Sequence, residues 1–330
     1  MKPLGLVILV LVVIPIIGCR QESTSTSADL SAEIDAAGLP AGLVGRSAEA
    51  LDRILLPEEF RREQERLLAE AMMALEDRPD DVEALIWAGR RLGYLARYRE
   101  AVDLYTQGID EFPEEPRLYR HRGHRFFTLR RFSRAAADLE IAARLMAGRP
   151  EEVEADGLPN ERGIPTSTLQ SNVWYHLGLA YYVQGEYALA GEAYREGLKA
   201  SHNPDMLSAM AYWSYLNLLR LDRQGEATEV LRAIDTEMDI IENHDYHRLL
   251  MVFKGQQDPE ELWTEARTSG SLSLATVGYG IGTWNLLQGD QAAAETIYAE
   301  VLEKGQPSSF GFIAAEAEMA RLPTAGQGRM

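Results

Sequence analysis

Small and large apolar residues recur along the middle of this chain with a period of 34 residues. Small positions return as small ones and large apolar positions as large ones, as in the pairs Gly89 and Gly123, Tyr98 and Phe132, Ala101 and Ala135, Tyr105 and Leu139, and Gly108 and Ala142. A fixed period of this length is typical of stacked helical hairpins, each of which buries its apolar face against the next. The pattern therefore predicts an all-α solenoid of helical hairpins, a fold that presents an extended binding surface rather than an enclosed catalytic pocket.

The pattern continues, less regularly, towards the C-terminus. A third copy begins near Ser171, out of phase with the first two, and its apolar and small positions are Trp174, Leu177, Gly178, Tyr181, Tyr187, Ala190 and Tyr194. Weaker hairpins follow over 206–235 and 240–267, and a clearer one ends near Pro307. A last apolar segment, 310–322, is predicted to be the closing helix that a solenoid needs to cover its final hairpin.

The other segments divide the chain into further parts. Residues 46–149 are predicted to hold N-terminal helices and the first two hairpins, and 171–322 the later hairpins with the closing helix. Between them, 150–170 is acidic first and then rich in Gly and Pro, a composition that predicts a loop inserted into the solenoid. The last residues, 323–330, are predicted to be a frayed tail.

The N-terminus carries an apolar run with a minimal positive start. Met1 and Lys2 precede an uncharged run of 17 residues that ends at Cys19, which is shorter than a membrane-spanning helix. A positive start, an apolar stretch and then small residues predict a secretory signal peptide over 1–18. The segment 19–45 is rich in Ser, Thr and Gly, and such a composition cannot bury a core, so we expect a flexible linker.

The end of the apolar run, Ile16-Ile17-Gly18-Cys19, resembles the lipobox of bacterial lipoproteins. This resemblance implies cleavage before Cys19 and lipid attachment to it, which would anchor the protein to a membrane of the bacterial cell envelope. Arg20 stands where Asp would signal retention at the inner membrane of enteric bacteria, so the resemblance implies the outer membrane, facing the periplasm. The alternative is an uncleaved signal anchor with an incidental cysteine.

Charge narrows the class of partner. The net charge of −18 at pH 7 argues against nucleic acid as a partner. Against this background, the stretch from Arg117 to Arg134 contains seven arginines and two histidines and no acidic residue. Two interpretations stand side by side: this stretch recognises an anionic partner, or its arginines pair with acids on neighbouring helices.

The three clear copies resemble the tetratricopeptide repeat, with small residues at positions 8 and 20 and apolar residues around them. Copy one spans about 82–115 and copy two about 116–149. The resemblance implies a solenoid over roughly 57–322 that acts as a non-enzymatic scaffold and binds a protein or peptide in its concave groove. Copy two departs from the pattern at Arg122, where leucine is usual, and copy one has Trp87 in an unusual position.

In this family the first helix of each hairpin lines the concave groove. Carried over position by position, the resemblance implies a groove lined by Arg90, Tyr94, Arg120, His124, Phe127, Tyr175 and Tyr182. Arg120, His124 and Phe127 are spaced i, i+4 and i+7, which places them on one helix face. Because arginine can hold a carboxylate through two hydrogen bonds, we expect a protein or peptide partner with an acidic segment or a C-terminal carboxylate.

The sequence contains no motif that indicates catalysis. It lacks a phosphate-binding glycine loop, a nucleophile elbow, a CxxC spacing and an HExxH helix. The pairs His121/His124 and His244/His247 are spaced i, i+3 but have no third ligand nearby in sequence. We therefore predict no catalytic residue, no metal and no cofactor.

Two other functions remain open at this point. The divergent region from Ile240 to Gly280 would carry the catalytic groups of an envelope enzyme, if buried ionisable residues converge there. A capture protein for a glycan or small solute would instead use exposed tryptophans as stacking platforms, and the candidates are Trp87, Trp174, Trp213, Trp263 and Trp284.

Overall fold

The computed structural model describes residues 51 and 54–322 of the chain, and within them it contains fourteen helices and no strand. In chain order these helices are α1 (Glu58–Asp77), α2 (Val82–Tyr94), α3 (Tyr98–Glu111), α4 (Pro116–Thr128), α5 (Phe132–Met146), α6 (Leu169–Gln184), α7 (Tyr187–Lys199), α8 (Pro204–Arg220), α9 (Gln224–Arg232), α10 (His244–Phe253), α11 (Pro259–Ser269), α12 (Ser271–Leu287), α13 (Gln291–Lys304) and α14 (Phe310–Arg321). None of these fourteen helices has the length and apolar character that crossing a membrane requires. The predicted signal peptide, the lipidation site Cys19, the linker and the tail lie outside the described residues.

Helix starts follow from local sequence. The side chains of Asp81, Asn203 and Asp258 accept hydrogen bonds from backbone N–H groups in the first turns of α2, α8 and α11. These groups have no partner inside the helix, so a short polar side chain at this position stabilises the helix by about 1 kcal/mol. Pro204 and Pro259 occupy the first helical position, where their missing N–H costs nothing.

Consecutive helices pack in pairs. In each clear pair, a glycine in the first helix accounts for the repeated pattern of small and large residues in the sequence. A glycine of the first helix lies directly against the large side chain sixteen residues later, as in Gly89 with Tyr105, Gly123 with Leu139, Gly178 with Tyr194 and Gly282 with Tyr298. A Cβ atom added to any of these glycines would lie inside van der Waals contact with the facing side chain. The 34-residue pattern of small and large residues is therefore this contact, repeated from hairpin to hairpin.

The last helix reaches back to the middle of the chain. Helix α14 packs against α12 and α13, as a closing helix does, and also against α6. Arg130, in the turn between α4 and α5, is fully buried, and its Nε donates to Glu316 Oε2 of α14 at 2.8 Å. Its Nη2 also donates to the Pro307 carbonyl at 2.8 Å. The C-terminal end is thus held against the second hairpin by a buried ion pair.

Candidate functional site

Four arginines on the first helices of two successive hairpins form one surface, which we call the arginine surface: Arg90 and Arg91 of α2, and Arg117 and Arg120 of α4. The loop between α5 and α6, residues 147–168, crosses this surface, and we call it the insertion. Arg120 Nη2 lies 2.9 Å from Glu154 Oε2. Arg117 Nη1 lies 3.4 Å from Glu152 Oε1, and the same arginine forms shorter ion pairs of 2.8 Å with Glu83 of α2 and with Glu115. The acidic start of the insertion is therefore bound by the arginines of α4.

The arginines of α2 bind the backbone of the insertion. Arg90 Nη1 donates to the Ala155 carbonyl at 2.7 Å, and Arg91 Nη1 donates to the Gly157 carbonyl at 3.2 Å. Gly157 also lies against the Tyr94 hydroxyl, so closely that a Cβ atom would not fit there. Together the four arginines contact both the carboxylates and the main chain of a single non-helical segment. Arginine contacts of these two kinds also occur where proteins recognise extended acidic peptides.

Glu154 is the buried anchor of the insertion. Its side chain is only 8% exposed and accepts a hydrogen bond from Asn172 of α6 in addition to the ion pair with Arg120. Arg120 Nη1 also lies 3.0 Å from His121 Nδ1. Because removal of one partner from a buried ion pair leaves an uncompensated charge, these contacts fix the insertion far more strongly than an exposed ion pair would.

Trp87 orients the arginines of α2. The guanidinium of Arg90 lies over its ring at 4.4 Å from the centroid, and that of Arg91 lies at 5.1 Å. Arg91 Nη1 also donates to Gln64 of α1 at 3.0 Å. Stacking of this kind restricts the long side chains and aims their free N–H groups at the insertion. The unusual position of Trp87 in copy one thus has a structural reason.

The far end of the insertion is attached to the loop that precedes α10. Arg162 Nη1 lies 2.6 Å from Asp239 Oδ2, and both side chains are exposed. Asn160 donates to Glu242 at 3.3 Å. Asn203 donates to the Thr166 carbonyl at 2.8 Å. The insertion therefore spans the concave side from the second hairpin to the start of α10.

A cavity of about 370 Å³ lies beside the insertion on the same side of the solenoid. One part of its wall carries Arg120, His124 and His176, and another carries Asp245 and Tyr246. Burial, reinforced by neighbouring arginines, lowers the pKa of both histidines well below the usual value, so both imidazoles are neutral at pH 7. Burial raises the pKa of Asp245 above its usual value.

Comparison with known protein families identifies the repeats. Residues 88–151 and 169–203 match the family model described as tetratricopeptide repeat. The chain contains tetratricopeptide repeats over these residues. No curated protein matches it at a significant level. The prediction of an all-α tetratricopeptide solenoid is confirmed, and because such repeats commonly bind protein partners and are typically non-catalytic, the chain contains a protein-interaction scaffold.

The structure separates the predicted groove residues of this tetratricopeptide solenoid into three groups. Arg90, Tyr94 and Arg120 contact the insertion. His124 lines the cavity, as does Tyr175, although the tyrosine side chain is otherwise buried. Phe127 and Tyr182 form the third group, which is fully buried.

Phe127 and Tyr182 do not line an open groove, and that part of the prediction is wrong. Both side chains are fully buried. The ring of Phe310, at the start of α14, lies 5.7 Å from that of Phe127. The Tyr279 hydroxyl of α12 donates to the Tyr182 hydroxyl at 3.0 Å. The later helices cover these positions because the solenoid folds back on itself.

The sequence interpretation missed Arg91, Arg117 and the acids of the insertion that they face. Arg117 lies inside the basic stretch, and the acidic start of the insertion is visible in the sequence. The available signal was charge complementarity between these two segments, one basic and free of acids, the other acidic. No periodicity connects them, so the pattern of the repeats did not reveal the contact.

The basic stretch from Arg117 to Arg134 divides between the two interpretations. Arg122 forms hydrogen bonds of 2.7 and 2.8 Å to Asp138 on the adjacent helix α5, and Arg130 pairs with Glu316. These two arginines fit the structural interpretation. Arg117 fits both interpretations, because it pairs with Glu83 of α2 at 2.8 Å and with Glu152 of the insertion at 3.4 Å. Arg120 pairs with Glu154 of the insertion at 2.9 Å, which fits the recognition interpretation.

The structure bears differently on the two alternative functions. Within residues 54–322, Trp213 and Trp263 are buried and the other three tryptophans are partly buried, so none offers a fully open stacking platform. The region from Ile240 to Gly280 contributes Asp245 to the cavity. Among the described residues, no group of three or more His, Cys, Asp or Glu side chains is arranged to hold a metal ion.

Proposed function

We propose that the chain is a membrane-anchored scaffold of the bacterial cell envelope whose arginine surface binds an extended acidic segment of a protein partner. In this proposal the insertion is an intramolecular occupant of that surface, and the partner displaces it. The supporting observation is the set of contacts that Arg90, Arg91, Arg117 and Arg120 make with the insertion. Two of them bind main-chain carbonyls, which every extended peptide presents, and two bind carboxylates.

Displacement exchanges the arginine contacts for similar ones, but it also breaks the hydrogen bond between Asn172 and the buried Glu154, so the partner must place a carboxylate at that position. A partner segment would replace the two ion pairs and the two hydrogen bonds to carbonyls that the insertion loses. It must also overcome the effective concentration of a tethered segment, which is of the order of millimolar for short connections. A free C-terminal carboxylate, or contacts with the exposed rim of α1 and α2, would supply the additional affinity.

The proposed anchor is the lipid on Cys19. The apolar run before this cysteine and the lipobox resemblance support it, and both lie outside the described residues. The Ser- and Thr-rich segment 20–29 would hold the solenoid away from the membrane surface. With Arg20 after the cysteine, we infer the periplasmic face of the outer membrane in a bacterium that has one.

A synthetic peptide of residues 150–168 is the first probe of the arginine surface. The ends of the insertion lie side by side, with the Glu154 N–H donating to the Ser167 carbonyl at 3.2 Å, so two glycines can replace residues 155–166. The same variant carries Glu152→Ala and Glu154→Ala, which free Arg117 and Arg120 for the peptide. We expect the labelled peptide to bind this shortened variant, as measured by fluorescence anisotropy. It should bind the intact chain much more weakly, because the tethered insertion competes.

Charge reversal tests the specificity of that binding. In the shortened variant, the double substitution Arg90→Glu and Arg91→Glu should weaken peptide binding at least tenfold. Arg144→Glu is the matched control, since Arg144 is exposed on α5, away from the arginine surface. Failure of the peptide to bind the shortened variant, or equal binding after reversal at 90 and 91, would refute the proposed surface.

A further inference from the structure

The cavity beside the insertion carries two carboxylates that lack a cationic partner. Asp245 and Glu242 both line it, Glu242 at its exposed rim. Glu242 accepts hydrogen bonds from Thr166 and Asn160, and Asp245 accepts one from Ser273. Neither carboxylate forms an ion pair with a Lys, Arg or His side chain in the part of the chain that the structure describes. Unpaired carboxylates in a partly enclosed site favour a ligand that brings positive charge.

The cavity lining contains one arginine, and that arginine is already paired. Arg125 lies over the ring of Tyr98, and neither it nor His244 lines the cavity, although their charges act on its histidines and on Asp245. Arg120 is the arginine of the cavity wall, and it pairs with Glu154 at 2.9 Å. Arg248, on the same helix as Asp245, pairs with Glu265. The neutral imidazoles of the wall add no positive charge. The cavity therefore carries a surplus of negative charge, which disfavours an anionic ligand.

One ring nitrogen of a buried histidine in the same wall receives no hydrogen bond. His176 is only 3% exposed, and its Nδ1 lies 2.7 Å from the Asn172 carbonyl. Since a carbonyl only accepts, Nδ1 carries the proton and Nε2 is an acceptor. Nε2 has no hydrogen-bond partner among the described residues. An unsatisfied buried acceptor costs about 1–3 kcal/mol. Because Nε2 has almost no exposed surface, a ligand N–H group would reach it only if the surrounding side chains shift.

Aromatic rings complete the wall. Tyr175 and Phe310 lie 5.5 Å apart, ring centroid to ring centroid, and both line the cavity together with Tyr246. The hydroxyls of Tyr175 and Tyr246 lie 3.0 Å apart, which holds the two rings in place. Aromatic faces attract ammonium groups and also pack against the methylene chain behind them. A volume of about 370 Å³ suits a small ligand.

From these features we propose that the cavity binds a primary ammonium group carried on an unbranched aliphatic chain. Asp245 is the main carboxylate for the ammonium group, Glu242 adds charge at the rim, and the rings of Tyr175, Tyr246 and Phe310 enclose the chain. This site is proposed in addition to peptide binding on the arginine surface. Whereas the arginines there attract an anionic ligand, the carboxylates of this site attract a cationic one. Its ligand is either a free small amine or the side chain of a lysine on a partner.

Butylammonium is the probe that tests the site, titrated into the full chain and followed by isothermal titration calorimetry. Butanol and butyrate have the same carbon chain with a neutral and a negative head group. We expect butylammonium to bind at least tenfold more tightly than either, and Asp245→Asn to weaken that binding about tenfold or more. Asp239→Asn is the control, because Asp239 lies in the preceding loop and pairs with Arg162 outside the cavity.

A second variant and a second ligand keep the test decisive. Glu242→Gln, at the exposed rim, should fold normally and weaken butylammonium binding about threefold, which provides a result even if Asp245→Asn unfolds. A capped Gly-Lys-Gly peptide presents the same ammonium group on a protein chain. Tighter binding of this peptide identifies a lysine side chain as the ligand, and tighter binding of butylammonium identifies a free amine. The proposal is overturned if neither ligand binds more tightly than butanol, or if both cavity variants bind as the unaltered chain does.

Discussion

Over α2 and α4 the concave side of the solenoid carries a loop, whereas over α6 it carries a helix. The insertion is held on the arginine surface by ion pairs and by hydrogen bonds to its carbonyls, several of them near solvent. Helix α14 is held by the fully buried pair of Arg130 and Glu316 and by the ring of Phe310. Another peptide could therefore supply contacts like those of the insertion, whereas the contacts of α14 belong to the buried core.

Loss of the buried ion pair that holds α14 should have the greatest effect on stability. Arg130→Met removes the cation that Glu316 faces in a fully buried setting, so we expect the free energy of unfolding to fall by about 3–5 kcal/mol. Denaturant unfolding followed by circular dichroism measures this loss. The double variant Arg130→Met with Glu316→Gln is the control and should recover a large part of it. A loss below about 1 kcal/mol, which is the contribution of an exposed ion pair, would contradict the assignment of this pair to the core.

Lowering the pH should reduce the free energy of unfolding. Burial lowers the pKa of His121, His124 and His176 in the folded state, so the unfolded chain binds more protons as pH falls below about 6.5. Stability should therefore decline below that pH, by up to about 1.4 kcal/mol per pH unit for each histidine. Unfolding curves between pH 7.5 and 5.5 measure the slope.

Variants assign that slope to the buried imidazoles. His176→Gln should reduce it, whereas His202→Gln should not, because the side chain of His202 is 62% exposed. A slope that is the same in all three proteins would contradict the assignment.

A smaller and local effect is expected on the loop side. Glu154→Gln removes the charge that Arg120 binds, so the insertion should open more often while the hairpins remain folded. Hydrogen exchange of the backbone amides between 154 and 167 should accelerate about tenfold or more, with little change in global unfolding. Glu161→Gln, at an exposed position of the same insertion, is the matched control. Equal exchange in the two variants would show that the ion pair does not hold the insertion.

The smallest effect concerns the exposed end of the insertion. Arg162 and Asp239 form an ion pair of 2.6 Å between side chains that are 46% and 71% exposed. Such pairs contribute less than about 1 kcal/mol and weaken with salt. Arg162→Ala should therefore change the unfolding midpoint within experimental error, and any change in local hydrogen exchange should vanish in 0.5 M salt. A larger loss would place this end among the core contacts.

The sequence by itself determined the hairpins. Several helices, such as α2, α8 and α11, begin at a residue whose side chain caps them, and each clear hairpin is closed by a glycine and a large side chain sixteen residues apart, as in Gly178 and Tyr194. These contacts are local and repeat with a fixed period, so a pattern of small and large residues is enough to predict them. The prediction that Arg90 and Arg120 lie at a binding face came from the same register.

Only the tertiary structure decided what covers that face. Arg90 binds a carbonyl 65 residues away, and Arg130 binds a carboxylate 186 residues away. Neither distance is related to the period of the repeat. Such contacts depend on how much each hairpin is rotated relative to the next one. Small rotations add up along a solenoid, and their sum decides whether its last helix contacts its middle. For that reason the burial of Phe127 and Tyr182, and the insertion on the arginine surface, could not be predicted from spacing.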